Sequence, residues 1–409
     1  MSFWRLILPK VRPGAYSRFE LYQRGSLEGI MEFMEPEEEA KLIAEFNKRF
    51  PYKVELHVHL DGAVRPETVI DIAKERGMLD DLPHKTAEEL NRDVILVEPS
   101  SLERFLTSFS YFMPIISGYK KAVERIAYEL CEDCAKHKIK YMEVRYSPHL
   151  LSNSLKDPAF TTTPGTFTPH DVVETVNEAL ARGMRDFDVK VNTILCCMTH
   201  RPEWSKEVVN LCKWYKCKGV VGIDLAGQEF VPGKEINECE HKQAFQEAAK
   251  WGIRRTVHAG EIGTYKAVQE ALEDMCAERI GHGYGSIGHP DVYNVILQNQ
   301  IHLETCPISS IMTKACDKDI QKHPLRQFVK DGINYGINTD DPVVLGNTLT
   351  DDYKFAQDMG LTDDDIIRGI FNSVRSSFAT EEEKKKMEED LVKVYGECKP
   401  LPVKSFQET

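Results

Sequence analysis

Short apolar, β-branched runs recur along the chain at KVELHVHL (53–60), KIKYMEVRYS (138–147), KVNTILCCM (190–198), GVVGIDLAGQ (219–228), IRRTVHAGE (253–261), ERIGHGYG (278–285), IHLETCPISS (301–310) and INYGINTDDP (333–342). These eight runs read as strands. Between them, TPHDVVETVNEALARGM (168–184), EWSKEVVNLCKWYKC (203–217) and HKQAFQEAAKWG (241–252) return an apolar residue every three or four positions, the period of an amphipathic helix. Strand and helix alternate, which predicts an α/β fold, a parallel TIM (β/α)8 barrel. The rhythm breaks once, between Asp61 and Lys138, where a long insertion separates the first two strands. Within it Leu102, Phe105, Leu106, Phe109, Phe112 and Met113 predict an amphipathic helix over the barrel mouth, although the spacing alone is equally that of core packing. The segment 35–50 reads as a charged amphipathic helix and 381–395, with Glu and Lys at four-residue spacings, as a solvated helix face, neither with chemistry assigned. The expected organisation is an N-terminal extension, partly helical, over 1–50, a metal-dependent (β/α)8 hydrolase domain over 51–396 and a tail over 397–409.

Charge and cysteine usage narrow the setting. Asp and Glu outnumber Lys and Arg, for a net charge of −13 over 409 residues, which repels a phosphate backbone and argues against nucleic acid as a partner. No apolar run approaches the roughly 18 residues of a membrane span. The 11 cysteines are odd in number and include the neighbours Cys196 and Cys197, unlike a secreted disulfide framework, so a reducing, cytoplasmic setting is expected. Arg5 interrupts the apolar N-terminus and no small-residue cleavage site follows, which rejects a secretory signal. Arg5, Lys10, Arg12 and Arg18 all precede the first acid, Glu20, and keep a mitochondrial leader as the alternative.

Chemistry gathers where the strands end, at HVHLDG, DLAG, HAGE, GHG and NTDDP, the positions that ring the active site of such a barrel. Side chains alternate across a strand, so His57, His59 and Asp61 are expected on one face. With 13 histidines in the chain, an H-x-H pair alone decides little. His258 from the fifth strand and Asp340 from the eighth change that. Three nitrogens and one oxygen make a set for one Zn²⁺ with a position left for water, whereas a closed structural site would more usually be built from cysteines. Glu261, three residues after His258, is placed as a proton donor. His282 and Asp341 are candidates to orient or deprotonate water, against the plainer readings that Asp341 starts a turn before Pro342 and His282 fills a corner between two glycines.

HVHLDG, EVRYSPHLL (143–151), LCCM (195–198), DLAG (224–227), TVHAGE (256–261), RIGHGYG (279–285), CPISS (306–310) and NTDDP (338–342) together resemble, in order, the signature of the adenosine deaminases of the amidohydrolase superfamily, the animal enzymes more than the shorter bacterial ones. The likeness runs from about Pro51 to about Tyr395. It implies hydrolytic deamination of adenosine and 2′-deoxyadenosine to inosine and 2′-deoxyinosine plus ammonia, with a purine nucleoside and water as the small-molecule partners. Position by position it implies that His57, His59, His258 and Asp340 hold one Zn²⁺ per chain and that Glu261 meets N1 of the purine. His282 and Asp341 would hold the attacking water, Gly227 would meet N3 through its backbone, and Asp61 would accept from the ribose 5′-OH. Phe105, Leu106 and Phe109 resemble the family's apolar lid, and Met198 belongs to the same substrate pocket. The chain departs from the animal enzymes in having Ile308, Ile311 and the aliphatic run Val343 to Leu345 where those carry aromatics, and in its long N-terminal extension.

Alternatives are weighed on the same residues. An adenylate or N6-substituted adenylate deaminase on this barrel meets an obstacle in Asp61, because a carboxylate beside the 5′ oxygen repels phosphate. Adenine deaminases typically have Glu at that position. A non-catalytic binding or signalling protein predicts damage to the ligand and acid set, which is intact. The H-x-E and P-C-x-x-C device of other nucleobase deaminases is absent: His302-Leu303-Glu304 and the Cys131/Cys134 pair come in the wrong order and read as structural.

Overall fold

The computed structural model describes residues 36–155, 160, 164–228 and 239–398; the expectations for a leader, for most of the N-terminal extension and for most of the tail fall outside the described residues. Eight strands form as the pattern predicts: β1 Lys53–His59, β2 Ile139–Tyr146, β3 Lys190–Met198, β4 Val220–Ala226, β5 Arg254–Ala259, β6 Arg279–His282, β7 His302–Thr305 and β8 Tyr335–Ile337. They pair in sequence order, all parallel. The ring closes through a bridge between Val58 and Asp340, with His59 N donating to Asp340 O (2.9 Å) and Asp340 N to His57 O (3.1 Å). Closure therefore happens between two of the segments that carry the histidines and aspartate singled out above.

Local chemistry explains the helices. In Pro169–Phe187, Thr168 and Asp171 form a reciprocal capping box, Pro169 occupies the first turn, and Val172, Val173, Val176, Ala179 and Leu180 turn inward. The charged helix Pro36–Arg49 buries Phe46, the following Phe50 packs edge-on against Tyr353, and Arg49 pairs with Asp363. Each buried phenylalanine contributes roughly 1.5–3 kcal/mol. Among the described residues no helix is long and apolar enough to cross a membrane.

Two sequence expectations need correction. The single amphipathic helix of the insertion is broken into Leu102–Thr107, a 3-10 turn Ser108–Tyr111 and Met113–Ile116. Thr107 and Ser110 turn their hydroxyls back onto the carbonyls of Arg104 and Thr107 (2.6 Å each), and Pro114 has no N–H to continue the ladder. Asp61 does not lie on β1, which ends at His59; the chain turns at Leu60, whose carbonyl accepts from Ala63 N.

Candidate active site

His57 Nε2, His59 Nε2, His258 Nε2 and a carboxylate oxygen of Asp340 come within 4.8 Å of one another. Two of these imidazoles have their tautomer fixed from behind. His57 Nδ1 donates to Glu304 Oε2 (2.8 Å), and His258 Nδ1 to Asp224 (3.0–3.1 Å), so both Nε2 atoms present lone pairs to the centre. There His258 Nε2 stands 3.2 Å from His59 Nε2, and Asp340 Oδ1 lies 3.2 Å from His57 Nε2 and 3.4 Å from His59 Nε2. Lone pairs that face one another at such distances need a positive charge between them, a proton or a metal ion. Bonds of about 2.05 Å to a tetrahedral Zn²⁺ would put neighbouring donors about 3.3 Å apart, so these residues fit that ion.

Against burial and Arg145, the carboxylates of Asp340 and Glu304 raise the His57 imidazole above its ordinary value in the absence of a metal, whereas His59 and Asp340 have the charge states of ligands. Burial, aided by the neighbouring His258 and His57 charges, outweighs Asp340 and pushes the His59 imidazole well below its ordinary value, so it stays neutral. Burial works to raise the Asp340 carboxyl, but the surrounding histidines hold it well below the carboxylate range. Ser309 Oγ donates to its other oxygen (2.7 Å).

Around this centre a pocket of about 250 Å³ is lined by His59, Asp61, Phe105, Leu106, Phe109, Met198, Gly227, His258, Glu261, His282, Asp340 and Asp341. The residues given metal-holding, catalytic or substrate-binding roles from the sequence thus meet at one place, with His57 fully buried behind the wall. His282 and Asp340 both hold positive φ, +66° and +73°, sparsely populated for any residue other than glycine. The plainer reading of His282 as a corner residue is half right: it makes the corner, and it also brings Nε2 to 3.7 Å from Glu261 and 3.9 Å from Asp340, with neither ring nitrogen hydrogen-bonded. Asp341 likewise precedes the helix Pro342–Leu345, yet its Oδ1 is buried without a hydrogen-bond partner. Burial, then the charges of Asp340, Asp61 and Glu261, push its carboxyl well above the usual range. Burial also lifts the Asp61 carboxyl to about 6, against the backbone N–H groups of Asp61 and Gly62; its Oδ1 makes no hydrogen bond.

Two glycines permit this crowding. A Cβ on Gly62 would sit 1.8 Å from Asp341 Oδ1, and one on Gly281 would press on His57 Cε1 at 3.0 Å. The sequence reading had no role for Arg145, Asp224 or Ser309, and treated Glu304 as structural. For Arg145, Asp224 and Glu304 the signal was present as charges inside otherwise apolar strands, where an unpaired ion is too costly to tolerate; Ser309 gave none.

Comparison with known proteins is consistent with this geometry. The family model described as adenosine deaminase matches residues 52–394. The chain is 48% identical over 357 residues to an adenosine deaminase of Xenopus laevis, covering 86% of this chain and 97% of that one. It is 46% identical over 357 residues to that of Bos taurus, with 87% and 96% covered. Among solved structures, an adenine deaminase of Arthrobacter aurescens superposes with a TM-score of 0.72 at 25% identity, over 84% of this chain and 98% of that one.

Proposed function

Because the chain belongs to the adenosine deaminase family, we propose that it hydrolyses adenosine and 2′-deoxyadenosine at C6, replacing the amino group with the oxygen of water to give inosine or 2′-deoxyinosine and ammonia. The observation that carries this reading is the convergence of three imidazole nitrogens and the Asp340 carboxylate, with Glu261, His282 and Asp341 beside them in an otherwise apolar pocket.

His57, His59, His258 and Asp340 would hold one Zn²⁺. Bound there, the ion would lower the pKa of a coordinated water from about 15.7 toward about 7. The chain's own residues do the rest. Glu261 delivers a proton to N1 of the purine, which must keep that proton near neutral pH, a condition a water-excluding site favours. His282, kept neutral by burial, takes up the proton of the attacking water, and Asp341 helps to orient that water. Asp341, held neutral by burial, can donate a hydrogen bond to N7. Asp61 accepts from the 5′-OH, Gly227 presents its backbone to N3, and Phe105, Leu106, Phe109 and Met198 cover the nucleoside and exclude bulk water.

The catalytic domain is taken as 51–396, preceded by the extension 1–50 and followed by the tail 397–409. Ten of the eleven cysteines are seen as unpaired thiols, in keeping with a cytoplasmic setting. The test is loss of adenosine's ultraviolet absorbance with purified protein, run beside adenylate and adenine. Fast conversion of adenosine alone is expected; preferential turnover of adenylate would overturn the placement of Asp61, and no turnover of any of the three would overturn the reading.

A further inference from the structure

Asp224 and Glu304, the carboxylates that fix the tautomers of His258 and His57, stand on β4 and β7 and share one cation. Arg145 on β2, fully buried, donates from Nη1 to Asp224 Oδ2 (3.1 Å) and from Nη2 to Glu304 Oε2 (2.7 Å). The same Nη2 donates to the carbonyl of Leu56 (2.7 Å), immediately before His57, inside the stretch of β1 where the pairing register shifts between Glu55 and Val58. No backbone ladder joins the two partners of either pair directly. The β4–β5 ladder ends at Ile223–Arg255, before Asp224 and His258 are reached. His57 and Glu304 belong to strands that are not neighbours in the sheet. At both places the imidazole is located by a carboxylate, and both carboxylates are located by one planar fork.

We propose that Arg145 is a positioning residue for the metal, setting the separation and direction of His57 and His258 Nε2 by clamping Glu304, Asp224 and the Leu56 carbonyl at once; this rests on the reading that those imidazoles hold a metal. Lysine cannot substitute for it. A single ammonium is a point charge on a flexible stem, whereas the guanidinium spans two carboxylates in a fixed plane. A control lies in the same buried network. Arg279 donates to the other oxygen of Glu304, Oε1 (2.7 Å), and to Glu143 Oε2 (2.6 Å), so Glu143 is tied to the network but reaches neither imidazole.

The experiment compares the full-length protein with Arg145→Lys and Glu143→Gln, following zinc loss to a chelator, the visible spectrum of the cobalt-substituted protein and thermal stability. Arg145→Lys should release metal at least about tenfold faster, as outer partners of a metal site do when altered, and shift the cobalt bands. Glu143→Gln should lower Tm comparably while both metal readouts stay wild-type. Wild-type metal release and spectrum in Arg145→Lys would overturn the proposal, as would equally fast release from Glu143→Gln, which would make the network merely structural. If Arg145→Lys does not fold, Arg145→Gln keeps a planar donor that cannot span both carboxylates. Faster release from it supports the proposal, and unchanged release overturns it. Absence of bound metal from the wild-type protein would instead overturn the underlying reading together with this one.

Discussion

Two layers of the barrel treat buried polar groups in opposite ways. At the mouth, His57 Nε2, both nitrogens of His282, Asp61 Oδ1 and Asp341 Oδ1 are buried without hydrogen-bond partners, and His282 and Asp340 keep unfavourable backbone angles. In the layer beneath, each carboxylate is held by several donors, while Arg145 Nε and Arg279 Nη2 go unbonded. Glu304 accepts from His57, Arg145, Arg279 and Thr256, and Glu143 accepts from Arg279, Tyr141 and the Phe378 N–H, while the Arg279 guanidinium lies 3.7 Å from the Phe378 ring. A buried group without a partner costs about 1–3 kcal/mol, and strained backbone adds about as much per residue. Groups at the mouth that would bind a metal and a substrate recover those costs on binding; the lower layer keeps the mouth from relaxing.

Substitutions in the two layers should therefore fail differently. At the mouth, Glu261→Gln is nearly isosteric and still hydrogen-bonds, but it cannot give an acidic proton to N1. Its kcat should fall by roughly 10²- to 10⁴-fold with Tm and zinc little changed. Steady-state kinetics beside a melting curve check this, and near-normal turnover in a folded, zinc-loaded variant would sink the role given to Glu261.

In the lower layer, Arg279→Met leaves Glu143 and Glu304 each short of a cation, so denaturant unfolding should reveal a loss of about 3–5 kcal/mol. A stability within experimental error of wild type would mean that the lower layer does not brace the fold.

Asp61→Ala brings the mouth effect down to a single hydrogen bond. Removing a charged acceptor worth about 1.5–3 kcal/mol should raise KM for adenosine roughly 10- to 100-fold while metal content stays intact. Loss of zinc instead would make Asp61 part of the metal site.

The smallest effect belongs to histidines kept neutral outside the site. Burial pushes His137 to about 3, His302 to about 4 and His323 to about 3. These folded values lie below the unfolded one of about 6.5, so the unfolded chain binds more protons between there and about pH 3–4, and stability is lost as pH falls through that window. His323 is also committed as a neutral ring, with Nδ1 accepting from Leu325 N and Nε2 against Ser310 Oγ. His323→Gln should flatten the loss between pH 6 and pH 5 by about 1 kcal/mol per pH unit, measured by denaturant titration at each pH. An unchanged slope would show that this ring is not held neutral.

The barrel and the mouth were legible in the sequence because both are written in periodicity. Eight apolar runs set the strands, and the parallel order places their C-terminal ends together, so HVHLDG, HAGE, GHG and NTDDP had to converge. The broken helix at 102–116 was hidden because apolar spacing is blind to hydroxyls that bond back to the chain. The lower layer was hidden for a different reason. Arg145, Asp224 and Glu304 sit on three strands far apart in sequence, and a charge inside a strand says that a partner exists without saying which. The tautomers of His57 and His258 follow only once those partners are known.

The central claim is that one zinc ion, held by His57, His59, His258 and Asp340, is what the unsatisfied mouth is built around. Titrating Zn²⁺ into chelator-stripped protein while following adenosine deamination tests it most directly. Activity should vanish on stripping and return in proportion to added metal, saturating at about one equivalent per chain. Full activity in the stripped protein, or saturation only at two equivalents, would contradict it.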